Sequence, residues 1–123
     1  MSTRTRAAAL AVVALAGAAG VAVAHEEVEG TTPARGAVLR TLPAKVSMTL
    51  GESVGRLDTV TITRNGRGNF VKGSGIDPRN AARVVATLTR PGPRFRKGLW
   101  KVTWRITAAD GDRQVLTAGF RVR

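Results

Sequence analysis

Very few residues of this chain can do chemistry. Among 123 residues there is one histidine, His25, and there is neither cysteine nor tyrosine. A serine–histidine–acid triad would have to use that histidine at an end of the folded chain, where nothing would orient it. No glycine-rich phosphate loop leads into a helix. Asp110-Gly111-Asp112 sets two carboxylates on either side of a glycine. Such a pair can work as acid and base or hold a cation, yet Asp-Gly is above all a turn signal, its carboxylates satisfying loop amides. These residues predict no enzyme and leave a plain turn and a metal ligand pair both open.

The chemistry open to His25 depends on the residues before it. Arg4 and Arg6 make a basic start, Ala7 to Val23 is an apolar run of small residues, and Ala22-Val23-Ala24 is a small-x-small cleavage site. These are the parts of a secretory signal peptide, predicted over residues 1–24, and the mature domain is expected over 25–123, periplasmic or secreted. Cleavage after Ala24 would make His25 the first residue. Its α-amine and ring Nδ1 could then close a six-membered chelate on one metal ion, and nitrogen with oxygen donors in a tetragonal arrangement suits Cu(II). A solvated histidine that merely follows the cleavage site is the other reading. Glu26, Glu27 and Glu29 can hold a cation nearby or form a solvated strand face that partners arginines.

Leu99 to Asp112, LWKVTWRITAADGD, is the element that would position the carboxylates. Trp100, Val102, Trp104 and Ile106 point one way and Lys101, Thr103, Arg105 and Thr107 the other, the pattern of a half-buried strand. Further strands are expected in His25 to Thr32, around Ala37-Val38-Leu39, in Val46 to Leu50, Asp58 to Arg64, Ala82 to Leu88 and Val115 to Val122. Pro33 to Gly36 and Asn65 to Gly68 read as turns, Gly51 to Arg56 as a loop, and the residues from Asn69 to Asn80 as irregular. No apolar period of 3.6 follows residue 24. The expected fold is therefore all-β, a single Greek-key, immunoglobulin-like sandwich of about seven strands, standing on its hydrophobic core without disulfides.

The stretch from His25 resembles the CopC/PcoC type of periplasmic copper-binding protein. Those proteins begin with histidine after the cleavage site and continue with a Pro-Ala-x-Gly-Ala-Val-Leu turn, here Pro33 to Leu39. Pro-x-x-Val-x-Leu-x-Phe-x-Glu-x-Val follows, matched by Pro43 to Val54, and Glu52 in it is read as structural. Near the end comes Tyr-x-Val-x-Trp-Arg-Val-x-Ser-x-Asp-Gly-His, matched by Trp100 to Asp112, and the spacing to Phe120-Arg121-Val122 agrees. The resemblance implies a cupredoxin-type sandwich that carries or buffers Cu(II) for copper homeostasis or resistance. The metal would be held by the amine and imidazole of His25, by Asp110 and, where the family has its second histidine, by Asp112. A carboxylate is a harder ligand than imidazole, so Asp112 would weaken the site. The family's Cu(I) site uses a methionine-rich loop, and after residue 24 only Met48 is present, so no Cu(I) site is expected. The implied partners are the copper ion and a membrane copper-transport protein, and a monomer is expected.

Charge supplies the alternative. Without Arg4 and Arg6, 18 basic residues stand against 8 acidic ones, a net +10. Such a surface opposes collecting a cation and attracts polyanions. Base-stacking aromatics are missing, which argues against specific nucleic-acid readout. The second reading is a metal-free domain of the same fold acting as a basic binding module for anionic envelope components or a protein partner.

Overall fold

Trp100, Val102, Trp104, Ile106 and Ala108 all face inward, each no more than 3 % exposed, so the period-two reading of this strand gives its buried face. The structure, a computed structural model, describes residues 28–123. Eight strands follow one another: β1 (Val28–Thr32), β2 (Val38–Leu39), β3 (Lys45–Leu50), β4 (Val54–Arg64), β5 (Val71–Asp77), β6 (Asn80–Leu88), β7 (Gly98–Ala108) and β8 (Arg113–Val122). They form two four-stranded sheets, ordered β1-β3-β6-β5 and β2-β8-β7-β4. Pairing is antiparallel except where the two residues of β2 run parallel to the end of β8. The result is the expected β-sandwich. Its core is the set of inward residues of both sheets, with Met48, Ile62, Val84 and Ala86 fully covered.

The tryptophans organise that core. The Trp100 ring meets Phe70 edge-on with centroids 5.0 Å apart and lies parallel to Phe120 at 6.4 Å. Its indole Nε1 donates to the Arg96 carbonyl at 2.8 Å, which satisfies the one polar atom of a ring otherwise in apolar surroundings. β7 is an interior strand, paired with β4 on one side and β8 on the other.

Two stretches differ from the sequence reading. Gly51 to Arg56 is a loop only through Ser53, because β4 begins at Val54. The segment read as irregular contains β5, an edge strand paired only with β6. Its sequence, VKGSGID, hides the strand: an edge strand buries little, and a Cβ built at Gly73 or Gly75 would meet nothing within 4 Å. The Asn65-Gly66 turn forms as its residues demand, both with positive φ (50° and 78°), and Arg64 and Arg67 exchange both backbone hydrogen bonds at 3.0 Å. The chain then crosses to the other sheet instead of returning as a hairpin. Asn69 marks that crossing, its Oδ1 accepting from the amides of Ile62 in β4 and Val71 in β5.

Candidate metal centre

β7 ends at Ala108 and β8 begins at Arg113, so the two carboxylates sit on the tight turn between adjacent strands. Three bonds shape that turn. The Gly111 amide donates to the Ala108 carbonyl at 2.9 Å and the Ala108 amide to the Asp112 carbonyl at 2.7 Å. The Asp112 amide donates to Asp110 Oδ1 at 3.0 Å. Gly111, with φ of +92°, takes the left-handed position that an L side chain rarely adopts. Asp110 and Asp112 are both exposed. One oxygen of Asp110 is thus engaged by the turn, while its second oxygen and the Asp112 carboxylate face solvent as hard oxygen donors.

The loop that leads into β4 fixes the turn from its β4 side. The Ala109 amide donates to the Ser53 carbonyl at 3.3 Å, so Gly51–Ser53 lies against it. Gly55, at the start of β4, supports the same place: a Cβ there would stand 2.9 Å from the Ala108 carbonyl oxygen and 3.2 Å from that of Thr107. Only glycine lets the two strands approach so closely. β1 begins at this end too, since Val28 is paired with Leu50, the residue just before that loop.

Of the expected ligands, Asp110 and Asp112 are brought together on one turn. His25 lies outside the described residues, as do Glu26, Glu27 and the proposed signal segment. Among the described residues there is no group of three or more histidine, cysteine, aspartate or glutamate side chains that could hold a metal ion. The donors on this turn are therefore oxygens only, harder than the nitrogen donors that suit Cu(II). Met48 is fully buried between the sheets.

A second acidic group escaped the sequence reading. Asp58 accepts from the Thr107 hydroxyl at 2.7 Å and from Arg56 Nε at 2.5 Å. The Thr107 bond first and the Arg56 bond next hold its carboxyl below the ordinary 3.8, and the charge of Arg113 adds to the effect. Arg56 and Asp58, two apart on a strand, share a face, and that spacing was the available signal. The pairing with Thr107, 49 residues away, was not in the sequence.

The comparisons with known proteins bear on this arrangement. The CopC domain family model matches residues 28–123, which is every residue described. The chain belongs to the CopC domain family. No curated protein is similar enough to match it. Among solved structures, this CopC domain is similar to CopC from Methylosinus trichosporium OB3b, with a TM-score of 0.67 at 16 % identity, over 80 % of this chain and 93 % of that one. It is also similar to PcoC, a methionine-rich copper resistance protein from Escherichia coli, with a TM-score of 0.65 at 16 % identity, over 80 % and 99 % of the two chains. The selenomethionine form of PcoC gives 0.63, again at 16 % identity, over 79 % and 99 %. These likenesses establish the sandwich. In methionine content this CopC domain departs from PcoC, having Met48 in its core as the one methionine among the described residues.

Proposed function

We propose that the protein is an exported Cu(II)-binding protein that carries or buffers copper, with His25 as its principal ligand. One observation supports this reading most. β1 enters the sandwich at the same end as the Asp110–Asp112 turn, through the pairing of Val28 with Leu50 and the bond from Ala109 to Ser53. Three extended residues span about 10 Å, so a chain that starts at His25 has the length to return its amine and imidazole to that turn. Asp110 then supplies a carboxylate oxygen, and Asp112 offers oxygen where the family pattern has imidazole. Copper bound this way is held by two nitrogens and one or two oxygens, a set suited to Cu(II) and weaker than one with a second histidine. A membrane copper-transport protein is the recipient that such a carrier would serve, and a monomer suffices for the task.

The test is a Cu(II) titration of residues 25–123 with a native His25 terminus, read by electron paramagnetic resonance. A control protein carries His25→Ala, which removes the imidazole. One-to-one binding with nitrogen hyperfine structure that the control loses supports the chelate. Equal binding by both proteins rejects it.

A further inference from the structure

Among the described residues, negative charge is sorted by end. The six described carboxylates, Glu29, Glu52, Asp58, Asp77, Asp110 and Asp112, all fall in the half that holds the turn between β7 and β8. Glu29 is at the start of β1 beside Leu50, Glu52 is in the adjoining loop, and Asp58 is bonded to Thr107 near the end of β7. Asp77 closes β5 at its turn into β6, where Arg83, opposite Thr49, reaches it at 3.6 Å. Both salt bridges among the described residues, Arg56–Asp58 and Arg83–Asp77, are in this half.

At the opposite end, where β4 and β8 finish and β7 begins, there are cations and no acidic side chain among the described residues. Arg94, Lys97, Lys101, Arg121 and Arg123 are all exposed there. Three of the four large hydrophobic side chains exposed among the described residues lie among them: Val38 (58 %), Phe95 (56 %) and Leu99 (53 %). Val38, Arg121 and Leu99 stand side by side in register across β2, β8 and β7. They border a shallow groove of about 630 Å³ in which Gly119 presents no side chain. Phe95 ends a one-turn 3-10 helix, Pro93–Phe95, in the loop before β7. That loop is pinned by Arg64, whose Nε donates to the Lys97 carbonyl at 2.6 Å and whose guanidinium lies 5.9 Å from the centre of the Phe95 ring.

We propose that this end is a docking surface for a bilayer containing anionic phospholipid. The cations meet lipid phosphates, and Phe95, Leu99 and Val38 enter the headgroup boundary, the combination that seats peripheral proteins on membranes. The partner's charge follows from complementarity with a pole whose described side chains include cations and no acid. The apolar residues favour lipid over nucleic acid: two of the three are aliphatic, Trp100, Trp104 and Phe120 are buried, and Phe95 alone is a poor stacking platform. The pole that carries the carboxylates, their charge largely offset by Arg56, Arg79, Arg83, Arg105 and Arg113, lacks the net positive charge of the docking end and is turned outward. β7 runs from one pole to the other, so docking leaves the Asp110–Asp112 turn open to solvent. This surface does not depend on copper.

The experiment is co-sedimentation with vesicles of phosphatidylcholine alone or mixed with phosphatidylglycerol. It uses residues 25–123, which contain the whole sandwich and its core. Binding is expected only with phosphatidylglycerol and is expected to weaken as salt rises from about 0.05 to 0.5 M. Lys97→Glu with Arg121→Glu should reduce it at least about tenfold, whereas Arg79→Glu with Arg113→Glu, at the other pole, should change it less than about twofold. Phe95→Ser with Leu99→Ser should also reduce it several-fold, while binding of a short DNA duplex stays as it was. The proposal is overturned by equal binding to both vesicle types or by equal loss from the two charge variants. Binding indifferent to Phe95 and Leu99 also overturns it, since that describes general affinity for polyanions.

Discussion

Asp110 accepts the backbone amide of Asp112 at 3.0 Å, so one of the two exposed carboxylates of the turn is oriented by the main chain of the other. The same oxygen atom thus serves the fold, while its partner oxygen remains available to a cation. Structural and ligand roles divide between two atoms of one side chain, and substitutions can separate them.

Asp110→Asn keeps an oxygen that accepts the Asp112 amide and removes the negative charge. Thermal stability should stay close to that of the wild type, and Cu(II) affinity should fall by about tenfold or more. Asp110→Ala removes the acceptor as well, adding a stability loss of about 0.5–1.5 kcal/mol. Calorimetric unfolding beside a Cu(II) competition assay distinguishes the two roles.

Asp112→His restores the imidazole of the family pattern at a position whose amide, not its side chain, shapes the turn. Cu(II) affinity should rise by about tenfold or more, with an added nitrogen in the hyperfine pattern. Unchanged affinity would show that position 112 is not a ligand.

Gly55→Ala places a Cβ 2.9 Å from the Ala108 carbonyl oxygen, a backbone atom that cannot turn away. The expected cost is about 1–3 kcal/mol in urea unfolding, with a shift in the amide resonances of residues 108–112. Gly73→Ala is the comparison: its Cβ meets nothing within 4 Å. That change should be neutral, or stabilise by about 0.4–1 kcal/mol through the unfolded chain.

The Asp58 carboxyl is held below its ordinary value of 3.8, chiefly by the Thr107 hydroxyl and then by Arg56. A depressed folded value means that its contribution is fully present above the unfolded value and is lost as pH falls through the folded one. Stability should therefore decline with acid below about pH 4. Asp58→Asn should flatten that limb of a melting-temperature profile, and Thr107→Val should move it toward higher pH. A limb unaffected by either substitution would mean that other carboxylates set it.

The amino-acid sequence by itself determined the sandwich, through a local cause. Successive side chains of a strand point to opposite faces, so Val46, Met48 and Leu50, or Trp100 through Ile106, record burial wherever one face is inward. Asn65-Gly66 announced its turn for an equally local reason, its backbone needing positive φ at both residues. β5 left no such record, because an edge strand of glycine and polar residues buries too little to alternate. The motif reading placed Asp110 and Asp112 on a turn, but nothing local showed that Ser53 and Gly55 support that turn from the other side. Only tertiary structure sorted the acidic residues: Glu29, Asp58, Asp77 and Asp110 are far apart in the chain and reach one pole through strand direction and the crossings between sheets. Side-chain alternation depends on neighbouring residues alone, whereas the end at which a residue arrives depends on every strand before it.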